Sequence, residues 1–300
     1  MRSIQVFKKL EPEDFRVLQA IELGMESHEI VPKFRVEKNS TLSSEETRHR
    51  LNRLDYLRLI RHFDRPYEGY SLNTSGYDCL ALNYLVKSET IEAFGKPLGV
   101  GKESDVFDAL TPSKTVVAVK FHRLGRTSFR QTRRVRTYPA DRSHISWLYQ
   151  SRLGAEREYK ALSVLSQAGV SVPSPITQNR HVLVMSLIEG RPLIDYVKLP
   201  RPRGTLNEIL ANLRTSYAKA GIVHGDLSEY NVIVKPDEHV LIIDWPQFVD
   251  RSSPSAESLL ERDVENILTF FHRRFRLKTS LEKELGHVKG STKSDHMSCV

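Results

Sequence analysis

The sequence predicts an α+β chain in two parts: a mostly helical N-terminal region with a short β-hairpin, then a larger region of mixed strands and helices. Three observations predict this. Residues 1–90 space their apolar side chains at helical period, interrupted near the end by a hairpin signal. Residues 98–120 read as a strand, a glycine-rich turn, a returning strand and a β-branched run closing on Lys120. A polar loop, His224-Gly225-Asp226-Leu227-Ser228-Glu229-Tyr230-Asn231, precedes an apolar strand that ends at Asp244. A length of 300 residues agrees with about two domains at the usual ~150 residues each.

In the N-terminal part, Glu11-Pro12-Glu13-Asp14 starts a helix whose acids suit the positive end of the helix dipole. A second helix is expected over roughly Ser27 to Lys38. Ser43, with Glu46 three residues on, forms a capping box that opens a third. That helix places Thr47, Leu51 and Leu54 on one face; at 100° per residue, His49, Asn52, Arg53 and Tyr56 fall opposite, flanked by Arg48 and Arg50. Leu57 to His62 and Tyr70-Ser71-Leu72 read as strands around a wing, and Thr74 to Val86 as the last helix. Helix, turn, basic helix, hairpin, helix is the order of a winged-helix domain, whose basic helix and wing usually meet nucleic acid. Arg48, His49, Asn52, Arg53 and Tyr56 are therefore the candidate RNA-binding residues, with a protein-docking module as the bland alternative.

The second part carries the chemistry. An acid and an amide five positions apart, Asp226 and Asn231, followed thirteen residues later by Asp244, form the layout of a kinase catalytic loop and metal site. Asp226 would face the attacking hydroxyl or water, and Asn231 and Asp244 would hold Mg²⁺ or Mn²⁺ against the ATP phosphates. Upstream, Gly99-Val100-Gly101-Lys102-Glu103-Ser104-Asp105-Val106 lets backbone N–H groups approach phosphate, with Ser104 where a third glycine is usual. Fourteen residues after Val106, Lys120 ends the strand expected to carry the ATP-phosphate lysine. Glu158 is the candidate carboxylate for Lys120, followed by apolar Ala161 and Leu162, and Glu156 is its alternative. A buried strand from His181 runs into a hinge, where Met185 would lie behind the adenine and backbone groups of Ser186 and Ile188 would meet its edge. Each piece has an innocent reading as turn, strand end, helix charge or core filler; in this order, together, they make a bilobal protein-kinase-like domain.

Composition bounds the rest. Hydrophobic residues make up 39%, charged residues 27%, and mean hydropathy is −0.40, as in a water-soluble protein with real cores. No apolar run reaches membrane-spanning length and the start has no secretory h-region, so a cytoplasmic location without membrane contact is expected. Cys79 and Cys299 suggest neither a disulfide framework nor a metal site. A net charge of +8 points to a polyanionic partner. Arg123 to Arg136 holds six arginines and no acid, which predicts a mobile loop beside the ATP site, with Ser128 a candidate for autophosphorylation.

The chain resembles the RIO kinases, atypical serine/threonine kinases, in their winged-helix branch, with an archaeal member as the expectation. The resemblance rests on the Gly99-to-Phe107 loop with its serine, His122-Arg123-Leu124-Gly125-Arg126-Thr127-Ser128-Phe129-Arg130, the His224-to-Asn231 loop, Ile243-Asp244-Trp245-Pro246-Gln247 and Glu261-Arg262-Asp263-Val264-Glu265-Asn266-Ile267. It covers about residues 1–275. It implies a winged-helix domain over 1–90, a RIO domain over 91–280 (N-lobe 91–185, C-lobe 189–280) and a disordered tail over 281–300. It also implies no peptide-substrate platform, in keeping with the lack of Ala-Pro-Glu after Asp244. The function implied is a Mg²⁺-dependent kinase or ATPase in maturation of the small ribosomal subunit, with rRNA as partner and Asp244 as a candidate phosphoacceptor. Two rivals remain: a small-molecule kinase of the aminoglycoside or choline type, and a non-catalytic ATP-binding assembly factor.

Overall fold

The computed structural model describes residues 2–124 and 147–290. The chain divides into two compact units, Met1–Glu156 with Gln178–Val184, and Arg157–Thr177 with Met185–Val300.

The first unit opens with α1 (Arg2–Phe7), α2 (Pro12–Gly24), β1 (Val31–Pro32), α3 (Lys33–Ser40), α4 (Ser44–Tyr56), β2 (Ile60–Phe63), β3 (Gly69–Leu72) and α5 (Thr74–Lys87). Local chemistry sets the helix starts. Pro12 sits in the first turn of α2, where a missing N–H goes unnoticed, and Glu11 and Asp14 cap each other reciprocally. Ser43 Oγ accepts the Glu46 N–H at 3.2 Å, and Asn73 Oδ1 accepts that of Gly76 at 3.1 Å. The helices close over Leu18, Ile21, Leu51, Leu54 and Leu59, all buried, and β1, β3 and β2 form a three-stranded sheet in that order.

Here the second helix differs from expectation. It begins at Lys33, not Ser27, because Pro32 biases Val31 towards extended backbone and the pair adds to the wing as Val31 against Tyr70 and Pro32 against Gly69.

The same unit continues into a sheet of order β4–β5–β6–β8–β7, built from β4 (Ala93–Val100), β5 (Ser104–Leu110), β6 (Val116–His122), β7 (Pro175–Asn179) and β8 (Val182–Ser186). Between β6 and β7 runs α6 (Trp147–Ala168), which passes from the first unit into the second. One core joins α5 to this sheet: Ala81, Leu82 and Leu85 pack with Phe107, Val119, Phe121 and Val182. Next to them Cys79 is fully buried, and burial pushes its thiol well above the ordinary range.

The second unit holds β9 (Arg191–Pro192), α7 (Pro202–Thr215), β10 (Ile222–Val223), β11 (Val232–Val234), β12 (Val240–Ile242), β13 (Val249–Asp250), α8 (Ala256–Phe275) and α9 (Leu281–Lys289). β11 lies between β12 and β9, and β10 pairs with β13. α8 buries Leu260, Val264, Ile267 and Phe271 along one stripe. The disordered tail expected from 281 is corrected over its first part: Ser280 caps α9, and Val288 is fully buried as α9 packs on α7 and α8. Residues 291–300 lie outside the described residues. No helix among the described residues is long and apolar enough to cross a membrane.

Candidate active site

The acidic loop leaves β10 through His224, which is buried and packs tilted against Trp245 with ring centroids 4.5 Å apart. Its Nε2 lies 3.0 Å from the Ile243 carbonyl, and its Nδ1 lies 3.3 Å from the Asp226 N–H. A carbonyl can only accept and an N–H only donate, so the ring carries its proton on Nε2. Gly225 follows at φ +80°, with room for a Cβ only 3.0 Å from the Gln247 carbonyl, so this position requires glycine.

Beneath the loop, α8 supplies three side chains. Asp263 is fully buried, and its two oxygens accept the N–H groups of Gly225 at 2.7 Å and Leu227 at 2.9 Å. Burial pushes its carboxyl above the usual range, against the pull of His224, the two N–H groups and Arg262. Asn266 Nδ2 donates to the Leu227 carbonyl at 3.0 Å, and Arg262 donates to that of Gly225. Asp263 is not among the site residues expected from the sequence. The signal was available: an acid within the stripe of Leu260, Val264 and Ile267 that the helix buries.

The fold therefore fixes this loop through its backbone and leaves the Asp226 side chain exposed. Asn231 Nδ2 donates to the Asp226 carbonyl at 3.0 Å, and the Asn231 carbonyl accepts from Ile243 N–H at 2.9 Å, which brings Asp244 alongside. Asp244 takes left-handed backbone, φ 67°. Among the described residues no three His, Cys, Asp or Glu side chains gather round a metal; the donors here are two carboxylates and an amide.

Glu158 and Glu156 separate clearly. Glu158 is buried and its Oε1 accepts the Trp245 N–H at 3.4 Å, next to Asp244. Glu156 is only partly buried and pairs one turn back with Arg152 at 2.8 Å. In the hinge, Met185 is buried, while Ser186 N–H donates to the Ser174 carbonyl at 2.8 Å. Of the Ser186 backbone groups, only the carbonyl can then meet a base edge.

In the first unit, Gly99 pairs with Val106 and Val106 with Lys120, so three predicted phosphate-site residues form one row across three strands. A Cβ on Gly99 would meet nothing within 4 Å, so packing does not explain its glycine. Gly101 N–H closes the turn on the Ser104 carbonyl at 2.8 Å, and Lys102 and Glu103 are exposed at its tip. Lys120 is buried in its strand.

On α4, Arg48, His49, Asn52 and Tyr56 are exposed, Tyr56 to 84%. Arg53 is directed inward instead: it donates to the Lys9 carbonyl at 2.5 Å and to Glu11. Arg50, read as a flank of that face, is buried and bound to Glu46 at 2.6 Å and Glu11 at 2.8 Å. The two guanidinium groups hold the Glu11 carboxyl down at about 2. Arg123, expected in a mobile loop, is also buried, paired with Asp78 and Asp105. Ser128 and the other arginines of that stretch lie outside the described residues.

Comparison with known proteins follows the same outline. A family model described as RIO domain matches residues 105–284, and one described as Rio2, N-terminal, matches residues 7–88. The chain is 38% identical over 271 residues to the serine/threonine-protein kinase rio2 of Dictyostelium discoideum, a match spanning 90% of this chain and 52% of that protein. It is 36% identical over 264 residues to the RIO-type serine/threonine-protein kinase Rio2 of Methanocaldococcus jannaschii, spanning 86% of this chain and 96% of that one. The Rio2 kinase–ADP/Mg²⁺–phosphoaspartate complex from Chaetomium thermophilum is similar with a TM-score of 0.83 at 34% identity, covering 97% of this chain and 89% of that chain. The chain spans about half the length of the Dictyostelium relative and of a Caenorhabditis elegans one.

Proposed function

The chain belongs to the RIO kinase family, and from that premise we propose that it is an ATP-dependent serine/threonine kinase or ATPase acting in maturation of the small ribosomal subunit. The acidic loop supports this reading: an exposed Asp226 carboxylate, with the Asn231 side-chain amide bonded to the Asp226 carbonyl and Asp244 brought alongside by the backbone bond from Ile243 to Asn231. Oxygen donors of this kind suit Mg²⁺ or Mn²⁺, since Mg²⁺ takes few protein ligands and completes its shell with substrate phosphates. Asn231 and Asp244 would hold the ion, which when bound offsets phosphate charge.

The remaining roles belong to the chain's own side chains. Asp226 accepts the proton of the attacking hydroxyl or water. Lys120 pairs with the phosphates and Glu158 orients it. Gly99, Gly101, Lys102, Glu103, Ser104 and Val106 wall the triphosphate, and Met185, the Ser186 carbonyl and Ile188 meet adenine. The bond between the γ-phosphorus and its bridging oxygen breaks, ADP leaves with that electron pair, and the phosphoryl group passes to water, a serine hydroxyl or the Asp244 carboxylate. Residues 1–90 act as a winged-helix domain that meets rRNA through Arg48, His49, Asn52 and Tyr56. Residues 91–280 act as the kinase domain, in a cytoplasmic protein without a peptide platform.

Single-turnover kinetics with γ-labelled ATP test this, on the wild type and Asp244→Asn, with and without small-subunit precursor particles. The wild type should release label faster when particles are present, and any hydroxylamine-labile label on protein should vanish in Asp244→Asn. Hydrolysis no faster than in buffer would sink the reading. A second test separates the two glutamates. Glu158→Gln should lower ATP turnover by about 10- to 100-fold, as loss of an orienting partner does. Glu156→Gln should leave turnover unchanged and shift stability by no more than ~0.5 kcal/mol, because its ion pair is exposed.

A further inference from the structure

Arg123 directly follows β6, three residues after Lys120, and is 4% exposed. Its guanidinium reaches both carboxylate oxygens of Asp78 on α5, at 2.6 and 3.1 Å. Its Nε donates to Asp105 Oδ2 at 2.9 Å, on the second residue of β5, and its backbone N–H donates to the Glu103 carbonyl at 2.6 Å, inside the glycine-rich turn. His181, just ahead of β8, meets Asp78 Oδ1 at 2.7 Å and lies 3.1 Å from Arg123 Nη1. Ser3 Oγ on α1 completes the cluster, donating to Asp78 at 2.8 Å. One side chain thus holds the last helix of the N-terminal domain and both ends of the segment that leaves the glycine-rich turn.

Chemistry makes this junction stiff. A guanidinium presents its N–H donors in a rigid planar fork, so bonds to two carboxylates fix its plane and theirs together. Burial works against an ionised Asp78, but His181 and Arg123 outweigh it and hold the carboxyl below the usual range. Buried ionic networks of this kind add little net stability against an apolar replacement; their best-attested use is to fix one arrangement.

We propose that Arg123 is a positioning residue that sets the glycine-rich turn from Asp78, so that the triphosphate wall is built on the N-terminal domain as well as on its own sheet. This rests on reading the turn as the ATP-phosphate site. Displacing α5 would then displace Glu103 and Asp105 through Arg123, and phosphate binding would register it. Adenosine, which lacks phosphates, would not.

Titration calorimetry with ATP·Mg²⁺ and with adenosine, on the wild type, Asp78→Asn and Arg123→Lys, tests the proposal. Each variant should bind ATP·Mg²⁺ roughly tenfold more weakly, while adenosine affinity changes by less than about twofold. Lysine keeps the charge but not the fork, so wild-type ATP affinity in Arg123→Lys overturns the proposal. Equal losses for the two ligands overturn it too, as does unchanged ATP affinity with lowered thermal stability. If Asp78→Asn does not fold, Asp105→Asn, at the turn end of the same cluster, is held to the same two outcomes. A wild type that binds neither ligand refutes the underlying ATP-site reading instead.

Discussion

Asp226→Ala lowers ATP turnover by about 10²- to 10⁴-fold, the range a general base contributes, while leaving the fold intact. At about 1.4 kcal/mol per decade this is roughly 3 to 5.5 kcal/mol of lost transition-state stabilisation. The separation of chemistry from folding is unusual enough to be a sharp test. The fold uses the backbone of Asp226: its N–H meets His224 Nδ1 and its carbonyl accepts from Asn231. Its carboxylate is exposed, so losing it should move stability by less than about 0.5 kcal/mol. Rapid-quench measurement beside a thermal melt reads both quantities. Intact function in Asp226→Ala, together with loss of function in Lys120→Ala, would favour a non-catalytic assembly factor that binds ATP only to hold a shape.

Asp263→Ala shows the opposite pattern. Here one buried side chain satisfies two backbone N–H groups, of Gly225 and Leu227. An unsatisfied buried donor costs about 1–3 kcal/mol, so the variant should lose roughly 2 to 6 kcal/mol of stability. For a unit of this size that lowers Tm by about 5 to 20 °C. Turnover should fall as well, because the freed peptides flank Asp226. Asp263→Asn keeps one acceptor oxygen and should fall between the wild type and the alanine variant. Calorimetric melts of the three proteins check this order, and an alanine variant within 1 °C of the wild type (about 0.3 kcal/mol or less) would refute the role given to Asp263.

What could be read from the sequence follows the range of the forces. The starts of α2, α4 and α5 depend on Glu11 with Asp14, Ser43 with Glu46, and Asn73 with Gly76, all pairs three residues apart. Such signals are local and were legible. The strand Val31–Pro32 exists only because Tyr70 and Gly69 lie beside it, and two residues carry no periodicity of their own. Arg50 and Arg53 look like surface charge until α2 brings Glu11 to them. Arg123 sits in an arginine-rich run that reads as solvated, yet Asp78 is 45 positions away and turns it inward. In the acidic loop, spacing brought Asp226, Asn231 and Asp244 to notice, but not the support from Asp263, because what a helix face lies against is a tertiary fact.

Asp244 stands in a backbone region that side chains with a Cβ enter at a penalty of about 1 kcal/mol or more. Glycine would relax that turn's backbone, so backbone strain and the proposed chemistry favour different residues at one position. A screen that rewards thermal tolerance alone would drift towards glycine there and return a sturdier, inert protein. Survival of the acid through such a screen would be a measure of how strongly use outweighs backbone ease at that turn.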